Sequence, residues 1–356
     1  MSKKVLLGMS GGVDSSVSAI LLKQAGYEVI GCTMKLWEEK QEQTDNQSIL
    51  DAKKVCEKLG IKHIVVDFRQ DFECSVVQNF IQEYESANTP NPCVECNRAI
   101  KFGRLYEKAQ ELGCDYIATG HYASIHYSEK YGQMVLQKSS EERKDQTYFL
   151  YTIKKEKLPH ILFPLQEYTQ KEKIREIAKE NELPVAQKKD SQEICFIPDN
   201  EYQRFLKDHQ FHPEKQGDIV LTTGEKIGKH TGLSHYTIGQ RKGLGISYHE
   251  PLYVIHLDPE KNQVIVGVDK ELYQSKLLAN QLNWMVEKIA KDQPVNCLAK
   301  IRYRAKEAKA TIYPKENGSV EVIFEEPQRA ITPGQSVVFY DEDGIVLGGG
   351  KIIGRE

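Results

Sequence analysis

The chain has 356 residues, which is too long for one small domain and suits two or three domains that each bury a core. Its 48 lysines and arginines nearly balance its 51 aspartates and glutamates, so the formal net charge of −3 excludes a histone-like polycation and an acidic disordered tail. Eight cysteines are too few for a disulfide-stapled secreted scaffold, no apolar run could span a bilayer, and the first apolar run is too short for a signal peptide. We therefore expect a cytoplasmic protein with no membrane partner, whose cysteines serve a purpose other than structural disulfides.

The first half of the chain alternates short apolar runs with helical patterns. Strands are predicted at residues 5–9, 28–36, 62–67 and 115–118. Helices are predicted at residues 13–25, 48–59, 72–84, 98–112 and 169–182, the last opened by a capping box at 169–172, with a polar loop at 37–46. This alternation predicts an α/β domain over residues 1–200, with helices on both faces of a parallel sheet. Ligands of such sheets bind beyond the carboxyl ends of the strands, where Ser10, Met34 and Gly120 lie.

The second half of the chain has a different, β-rich pattern. Short β-like runs punctuated by glycines predict a small, irregular central domain over residues 201–275. Over residues 276–356 apolar and polar side chains alternate, as at 299–304 and 320–324, and Pro333-Gly334 supplies a turn. This last part is therefore expected to form a C-terminal β-barrel or sandwich.

A glycine-rich segment, Ser10 to Ser16, lies between the first predicted strand and the first predicted helix. Gly11 and Gly12 let the backbone approach an anion closely, and the helix N-terminus adds oriented N–H groups. Asp14 would repel a phosphate unless a cation such as Mg²⁺ lies between them. The segment is neither a Walker A loop nor a dinucleotide fingerprint. A turn that merely caps the helix is the alternative, but Asp14 and the strand–turn–helix context favour phosphate binding.

Two cysteines, Cys93 and Cys96, lie in a proline-rich loop shortly before the helix predicted at residue 98. The helix N-terminus, with Arg98 and Lys101 nearby, favours a thiolate over a thiol at Cys96. The alternative is half of a zinc site, but the sequence has no second C-x-x-C pair to complete one. Cys195 lies in an apolar stretch and is, taken alone, typical of a core residue.

Five segments, in this order along the chain, match one family: the glycine-rich segment Ser10 to Ser16, which we call the phosphate loop, and residues 119–122, 144–150, 190–198 and 235–245. They resemble the PP-loop ATP pyrophosphatases and, over the whole chain, the tRNA 2-thiouridylases, the sulfurtransferases that replace O2 of the wobble uridine with sulfur. The resemblance implies that ATP adenylates the uridine O2, with release of pyrophosphate and AMP. It also implies that Cys195 carries a persulfide and that Cys96 resolves the intermediate, which leaves a Cys96–Cys195 disulfide or releases sulfide as the nucleophile.

The resemblance also implies binding residues and partners. The partners are the anticodon of tRNA and a sulfur-donor protein, such as a cysteine desulfurase or a sulfur relay protein. The implied ATP-binding residues are Gly8, Met9, Ser10, Gly11, Gly12, Val13, Asp14, Ser15, Met34 and Gly120. The target base would enter a pocket formed by Asn91, Pro92 and Cys93. The implied tRNA contacts are His121, Lys144, Asp145, Gln146, Tyr303, Arg304 and Gln335.

A basic segment at residues 300–309 supports an RNA partner, since it holds five cations against one acid, Glu307. Taken alone, such a run is usually a solvated face. A β-barrel that presents Arg302, Tyr303 and Arg304 suits contacts with the RNA backbone and stacking on bases.

One position departs from the commonest pattern of the family, which has an aspartate where this chain has Cys93. Cys93, Cys96 and Cys195 could then converge on one site and hold a [4Fe–4S] cluster whose fourth iron binds sulfide.

Two other functions remain open at this point. One is a PP-loop synthetase that adenylates a small acid or amide, and the other is a non-catalytic RNA- or metal-binding protein.

Overall fold

The structure is a computed structural model that describes residues 2–37, 43–141, 144–168, 170–188, 194–209, 215–287 and 293–355, without the side chains of 43–46. Along the chain it forms a five-stranded parallel sheet, a four-stranded sheet and a closed six-stranded barrel. The predicted fold class, an α/β domain followed by a β-rich domain and a β-barrel, is confirmed. Within the described ranges no helix is both long and apolar enough to cross a membrane.

The N-terminal domain alternates strands and helices. Its strands are β1 (Lys4–Gly8), β2 (Glu28–Lys35), β3 (Lys62–Asp67), β4 (Tyr116–Ala118), β5 (Ser124–Ser128), β6 (Gln133–Gln137) and β7 (Ile161–Leu162). Its helices are α1 (Val13–Gln24), α2 (Gln43–Leu59), α3 (Arg69–Phe72), α4 (Gln78–Glu85), α5 (Pro92–Cys96), α6 (Leu105–Glu111) and α7 (Lys171–Glu180). Two π-helical segments, Glu73–Val77 and Asn97–Arg104, join α3 to α4 and α5 to α6.

The parallel sheet has the order β3-β2-β1-β4-β7, and β5 pairs with β6 in a separate hairpin. The chain leaves β1 on one side to form β2 and β3 and returns on the other side to form β4, so the switch point lies between β1 and β4. The central strand β1 is buried on both faces, since Leu6 packs into one hydrophobic core while Val5 and Leu7 pack into another. This burial explains why the strand is continuously apolar.

Three predicted boundaries in this domain are wrong or lie outside the described residues. Helix α2 begins at Gln43, inside the predicted loop 37–46, of which residues 38–42 are outside the described ranges. The helix predicted from residue 98 begins at Pro92, because a proline is well tolerated at the first helical position. Thr169 of the predicted capping box lies outside the described part, and helix α7 begins at Lys171.

The central region contains helix α8 (Tyr202–Asp208) and one four-stranded sheet. The strands are β8 (Gly217–Leu221), β9 (Lys226–His230), β10 (Tyr253–Asp258) and β11 (Gln263–Gly267). They lie in the order β10-β11-β8-β9, with only the β11–β8 pair parallel among these three pairs. Three of these strands coincide with the short β-like runs of the sequence.

The C-terminal barrel closes in the order β12-β15-β14-β13-β16-β17. Its strands are β12 (Tyr273–Trp284), β13 (Val295–Lys300), β14 (Ala308–Pro314), β15 (Val320–Arg329), β16 (Ser336–Tyr340) and β17 (Val346–Arg355). The strand predicted to continue to residue 304 ends at Lys300. The guanidinium of Arg302 turns inward instead and donates to the carbonyl oxygens of Arg329 and Ala330, both at 2.6 Å.

Buried and partly buried hydrogen bonds join the barrel to the N-terminal domain. The hydroxyl of Tyr148 donates to the carbonyl oxygen of Ser336 at 2.9 Å, and the amide of Asn283 donates to the carbonyl oxygens of Tyr151 and Ile153 at 2.7 and 2.8 Å. Because buried polar groups with partners fix a packing arrangement, these bonds hold the barrel beside the sheet.

Candidate active site

The phosphate loop, Gly8–Ser15, runs from the end of β1 into α1. Gly11 has a φ of +67°, and a Cβ there would lie 2.5 Å from the carbonyl oxygen of Ser48, so only glycine fits. The Ser15 hydroxyl lies 3.3 Å from both the backbone nitrogen and the hydroxyl oxygen of Ser10 and closes the loop. Gly12 is the N-cap of α1 and has no side chain to satisfy the first N–H groups, which leaves them for an anion.

The other residues predicted to bind ATP are placed around this loop in different ways. Met9 and Val13 are buried in the core, so only their backbone groups can face a nucleotide. Gly120 follows β4, and a Cβ on it would lie 3.1 Å from both the Asp14 carbonyl carbon and the Ser15 nitrogen. The structure therefore brings Gly120 against the phosphate loop. Met34, half-buried, is the second-last residue of β2.

The carboxylate of Asp14 has two partners that the sequence did not reveal. The Tyr122 hydroxyl donates to Asp14 Oδ1 at 2.9 Å, and Lys171 Nζ lies 3.5 Å from Oδ2. A neighbouring cation reduces the repulsion between this carboxylate and a phosphate. Tyr122 belongs to the segment 119–122, which the sequence had already singled out. Lys171 lies at the start of helix α7, and nothing in the sequence pattern of that helix indicated a site residue.

The three candidate cysteines lie near one another. Cys93 and Cys195 are exposed, whereas Cys96 is 8% exposed. Burial raises the pKa of the Cys96 thiol to about 11, and the nearby Cys93 adds to this effect. Desolvation by the surrounding protein, together with the charges of Cys96 and Cys93, raises the pKa of Cys195 to about 12. All three cysteines are free thiols in the structure.

The prediction of a helix-stabilised thiolate at Cys96 is wrong. Cys96 is the last residue of α5 rather than a residue ahead of a helix, so the helix N-terminus lies a full turn away. Arg98 pairs with Glu95, the shorter nitrogen–oxygen distance being 2.7 Å. Burial raises the pKa of the three cysteines, and the charge of Lys101 opposes this effect, because it lowers the pKa of Cys93, Cys96 and Cys195 alike.

Lys101 is aimed by a buried histidine. The ring of His121 has Nδ1 at 2.7 Å from the Thr119 hydroxyl and Nε2 at 3.4 Å from Lys101 Nζ. Burial and the charge of Lys101 hold the pKa of His121 well below its usual range, so the ring is neutral at pH 7. The ammonium of Lys101 can only donate, so Nε2 accepts and Nδ1–H donates to Thr119.

Gly120 and His121 connect the two halves of the site. Gly120 packs on the phosphate loop, and His121 contacts Lys101 beside the cysteines. Lys101 itself lies in the π-helical segment that follows Cys96, a type of irregularity that is frequent at functional sites. The phosphate loop and the cysteines, which are far apart in the sequence, are therefore neighbours at one end of the sheet.

The residues predicted to contact tRNA differ in how far their side chains are available to a partner. Asp145, Gln146 and Gln335 use their side chains within the protein: Asp145 accepts from Thr147 at 2.7 Å, Gln146 accepts from the Tyr122 N–H at 2.9 Å, and Gln335 donates to the carbonyl oxygens of Thr89 and Pro90 at 2.9 and 3.2 Å. His121 and the Lys144 nitrogen are buried. Tyr303 is half-buried against Phe149, with ring centroids 4.5 Å apart, and Arg304 is exposed.

The remaining predicted residues form the start of helix α5. Asn91 is the N-cap of this helix and Pro92 its first residue, directly before Cys93. In the described ranges no group of three or more histidine, cysteine, aspartate or glutamate side chains is arranged to hold a metal ion. As placed, the three cysteines do not fit a [4Fe–4S] cluster.

The parallel sheet, the phosphate loop after β1 and Gly120 at the switch point define an α/β nucleotide-binding protein of the PP-loop class. Family models agree: "tRNA methyl transferase HUP domain" matches residues 3–199, "tRNA methyl transferase PRC-barrel domain" 203–268 and "Aminomethyltransferase beta-barrel domain" 274–352. The chain is 50% identical to the tRNA-specific 2-thiouridylase MnmA of Acetivibrio thermocellus, over 98% of this chain and 99% of that protein. It is 47% identical to the protein of that name from Clostridioides difficile, over 99% and 98%. The chain belongs to the tRNA-specific 2-thiouridylase family.

Proposed function

We propose that this protein is an ATP-dependent tRNA-uridine 2-sulfurtransferase that makes 2-thiouridine at the wobble position. Family membership over nearly the whole chain supports the activity. The observation that carries the mechanism is the Gly120–His121 junction, which puts a phosphate loop and a group of cysteines into one site. The proposed domains are a catalytic PP-loop domain at 1–200, a central tRNA-contacting domain at 201–275 and a tRNA-binding barrel at 276–356.

The first step is the activation of the uridine. O2 of the base attacks the α-phosphorus of ATP, the bond to the β-phosphate breaks, and pyrophosphate leaves. The N–H groups at the start of α1 and the Gly8–Ser15 backbone bind the departing phosphates. Mg²⁺ bound with ATP neutralises phosphate charge, and Asp14 is the carboxylate beside the loop that would hold it.

The second step is sulfur transfer. The terminal sulfur of a Cys195 persulfide attacks C2, and the C2–O2 bond breaks as AMP leaves. The Cys96 thiolate then attacks the sulfur of Cys195, so that 2-thiouridine departs and a Cys96–Cys195 disulfide forms. The two electrons that reopen this disulfide come from a cellular thiol, and the persulfide sulfur comes from a sulfur-donor protein. Alternatively, the attack of Cys96 on the persulfide releases sulfide, which acts as the nucleophile.

Lys101 has a defined task in this scheme. Both thiols have raised pKa values in the free protein, and the Lys101 ammonium is the group that favours their ionised forms. His121 holds that ammonium in place, since a neutral ring can accept from it. We therefore assign Lys101 as a positioning and charge-compensating residue for the cysteines.

The persulfide route is preferred over a [4Fe–4S] cluster because the described cysteines do not converge as metal ligands. A cluster would need a rearrangement around Cys93 and Cys195. Anaerobic purification followed by iron and sulfide analysis distinguishes the two routes. Iron-free protein that thiolates tRNA supports the persulfide, whereas iron that is required for thiolation supports the cluster.

The test of the proposed substrate is AMP formation from α-labelled ATP. With a persulfide-generating sulfur source present, we expect AMP and pyrophosphate only when unmodified tRNA with a wobble uridine is added, and none when that uridine is replaced by cytidine. Adenylation of small acids or amides without RNA would instead support the PP-loop synthetase.

The family models carry methyltransferase names, so S-adenosylmethionine with a labelled methyl group is a useful second probe. We expect no label in the tRNA.

A further inference from the structure

The ammonium nitrogen of Lys144 is buried beside the phosphate loop and has no hydrogen-bond partner among the described residues. It lies 5.3 Å from the centroid of the Tyr122 ring, whose hydroxyl donates to Asp14 at 2.9 Å. The resemblance implies a tRNA contact for Lys144, but the structure buries this nitrogen beside Tyr122, the residue that bonds to Asp14 of the phosphate loop.

The backbone around Lys144 is held in place by that same segment. The Gln146 N–H donates to the carbonyl oxygen of Tyr122 at 3.0 Å, and the Gln146 side chain accepts from the Tyr122 N–H at 2.9 Å. The N–H of Lys144 donates to the carbonyl oxygen of Glu141 at 3.0 Å. Because Tyr122 directly follows Gly120 and His121, these bonds fix the base of Lys144 at the end of β4, where the phosphate loop lies.

A buried ammonium without hydrogen bonds is unfavourable in the free protein. The pKa of Lys144 is lowered, mainly by burial and also by the positive charge of Lys171. The carboxylates of Glu172, Asp14 and Glu141 partly offset this lowering. Asp14 is already engaged by Tyr122 and Lys171. An anion bound at the loop would give the ammonium its missing acceptor, and a triphosphate is the anion that this site takes.

We propose that Lys144, together with Lys171, binds the phosphate groups of ATP at the Gly8–Ser15 loop and stabilises the pyrophosphate that leaves. The inference rests on the proposed function, because it names a further residue of the same ATP site. It assigns Lys144 to the phosphate site instead of the tRNA contact that the resemblance implies. It also gives a common role to Lys171, which lies 3.5 Å from Asp14, and to Lys144, whose pKa is lowered by burial and partly restored by the charge of Asp14.

The experiment compares wild type with Lys144→Met, Lys144→Arg and the control Lys173→Met, an exposed lysine on the same helix as Lys171. Affinities for ATP·Mg²⁺, inorganic pyrophosphate and unmodified tRNA are measured for each, with melting temperatures before and after ligand. We expect Lys144→Met to weaken ATP and pyrophosphate binding by about tenfold to hundredfold and to leave tRNA affinity within about twofold. Arginine should recover part of the loss, and the control should match wild type.

The melting temperature gives a second, independent readout. Without ligand, Lys144→Met should be at least as stable as wild type, because it removes an unpaired buried charge, and it should lose most of the stabilisation by ATP. A variant that is less stable without ligand, or one that binds ATP and pyrophosphate normally but binds tRNA weakly, would overturn the inference. If wild type itself binds neither ATP nor pyrophosphate, the proposed function fails instead.

Discussion

The side-chain amide of Gln335 donates to the carbonyl oxygen of Thr89 at 2.9 Å, so the C-terminal barrel holds the segment that leads into Cys93. The contact is reciprocal, because the Thr89 N–H donates to the carbonyl oxygen of Pro333 at 3.0 Å. Gly334 permits this approach, since a Cβ there would lie 2.7 Å from the Thr89 carbonyl oxygen. The barrel therefore positions the proposed base pocket in addition to any contact it makes with tRNA.

This contact predicts how strongly different substitutions of Gln335 lower the rate of thiolation. Gln335→Glu places a carboxylate against carbonyl oxygens and should lower the kcat of thiolation most, by about tenfold, because each unsatisfied or repelled buried group costs roughly 1–3 kcal/mol. Gln335→Leu should have an intermediate effect, and Gln335→Lys, which keeps a donor, the smallest. Steady-state assays with saturating tRNA measure kcat, and filter binding measures tRNA affinity. Loss of tRNA affinity with unchanged kcat would show that Gln335 contacts RNA directly.

A side chain at Gly120 should disturb the phosphate loop. A Cβ in Gly120→Ala would lie 3.1 Å from backbone atoms of Asp14 and Ser15, so the phosphate loop must shift. We expect the KM for ATP to rise severalfold with tRNA affinity unchanged. Gly354→Ala is the control, because its Cβ would meet atoms only at 3.9 Å or beyond. Equal ATP kinetics for both variants would contradict the packing of Gly120 on the loop.

Arg302 and Arg304 should behave differently although they are two residues apart. Arg302→Ala removes hydrogen bonds to the carbonyl oxygens of Arg329 and Ala330 and should lower the free energy of unfolding by about 1.5–3 kcal/mol. Arg304 is exposed, so Arg304→Ala should leave stability unchanged and reduce the salt dependence of tRNA binding by about one unit of slope. Urea denaturation and salt titrations of binding measure the two effects. If Arg302→Ala instead reduced the salt dependence of tRNA binding and left stability unchanged, Arg302 would lie on the RNA-binding face.

Cysteine reactivity should depend on pH and on Lys101. With pKa values of about 11 and about 12, Cys96 and Cys195 are mostly protonated at pH 8, and their alkylation by iodoacetamide should accelerate throughout pH 8–10 without a plateau. Lys101→Met should slow both rates, because the cation that lowers their pKa is lost, whereas Lys101→Arg should retain most of the wild-type rate. Mass spectrometry resolves the sites, with the exposed Cys74 as the internal reference. Rates that do not respond to Lys101→Met would remove Lys101 from the thiol chemistry.

The local sequence pattern was sufficient to predict the parallel sheet and the position of the phosphate loop. The apolar run at β1 and the glycines that follow it are short-range signals, and the structure has both where they were predicted. The error at Cys96 arose from proline: Pro90 and Pro92 suggested a loop, but Pro92 occupies the first position of α5. The error at 299–304 arose from period-two alternation, which cannot show that Arg302 turns inward to carbonyl oxygens of another strand.

The contacts that assemble the site could not be predicted from local pattern. Tyr122 and Asp14 are 108 residues apart, and Lys101 meets His121 across the sheet edge. Such pairs depend on which strand ends the topology brings together, and the sequence indicates only that the ends share one edge. Lys171 and the burial of the Lys144 nitrogen likewise appear only once helix α7 and the segment after β6 are packed.

The most direct test of the central claim compares AMP and 2-thiouridine in wild type and Cys195→Ser, with unmodified tRNA, ATP·Mg²⁺ and a persulfide-generating sulfur source. Wild type should form the two products in equal amounts. Cys195→Ser should form no 2-thiouridine while it still releases pyrophosphate with tRNA, and Cys74→Ser, an exposed cysteine outside the site, should match wild type. Normal 2-thiouridine formation by Cys195→Ser would contradict the account.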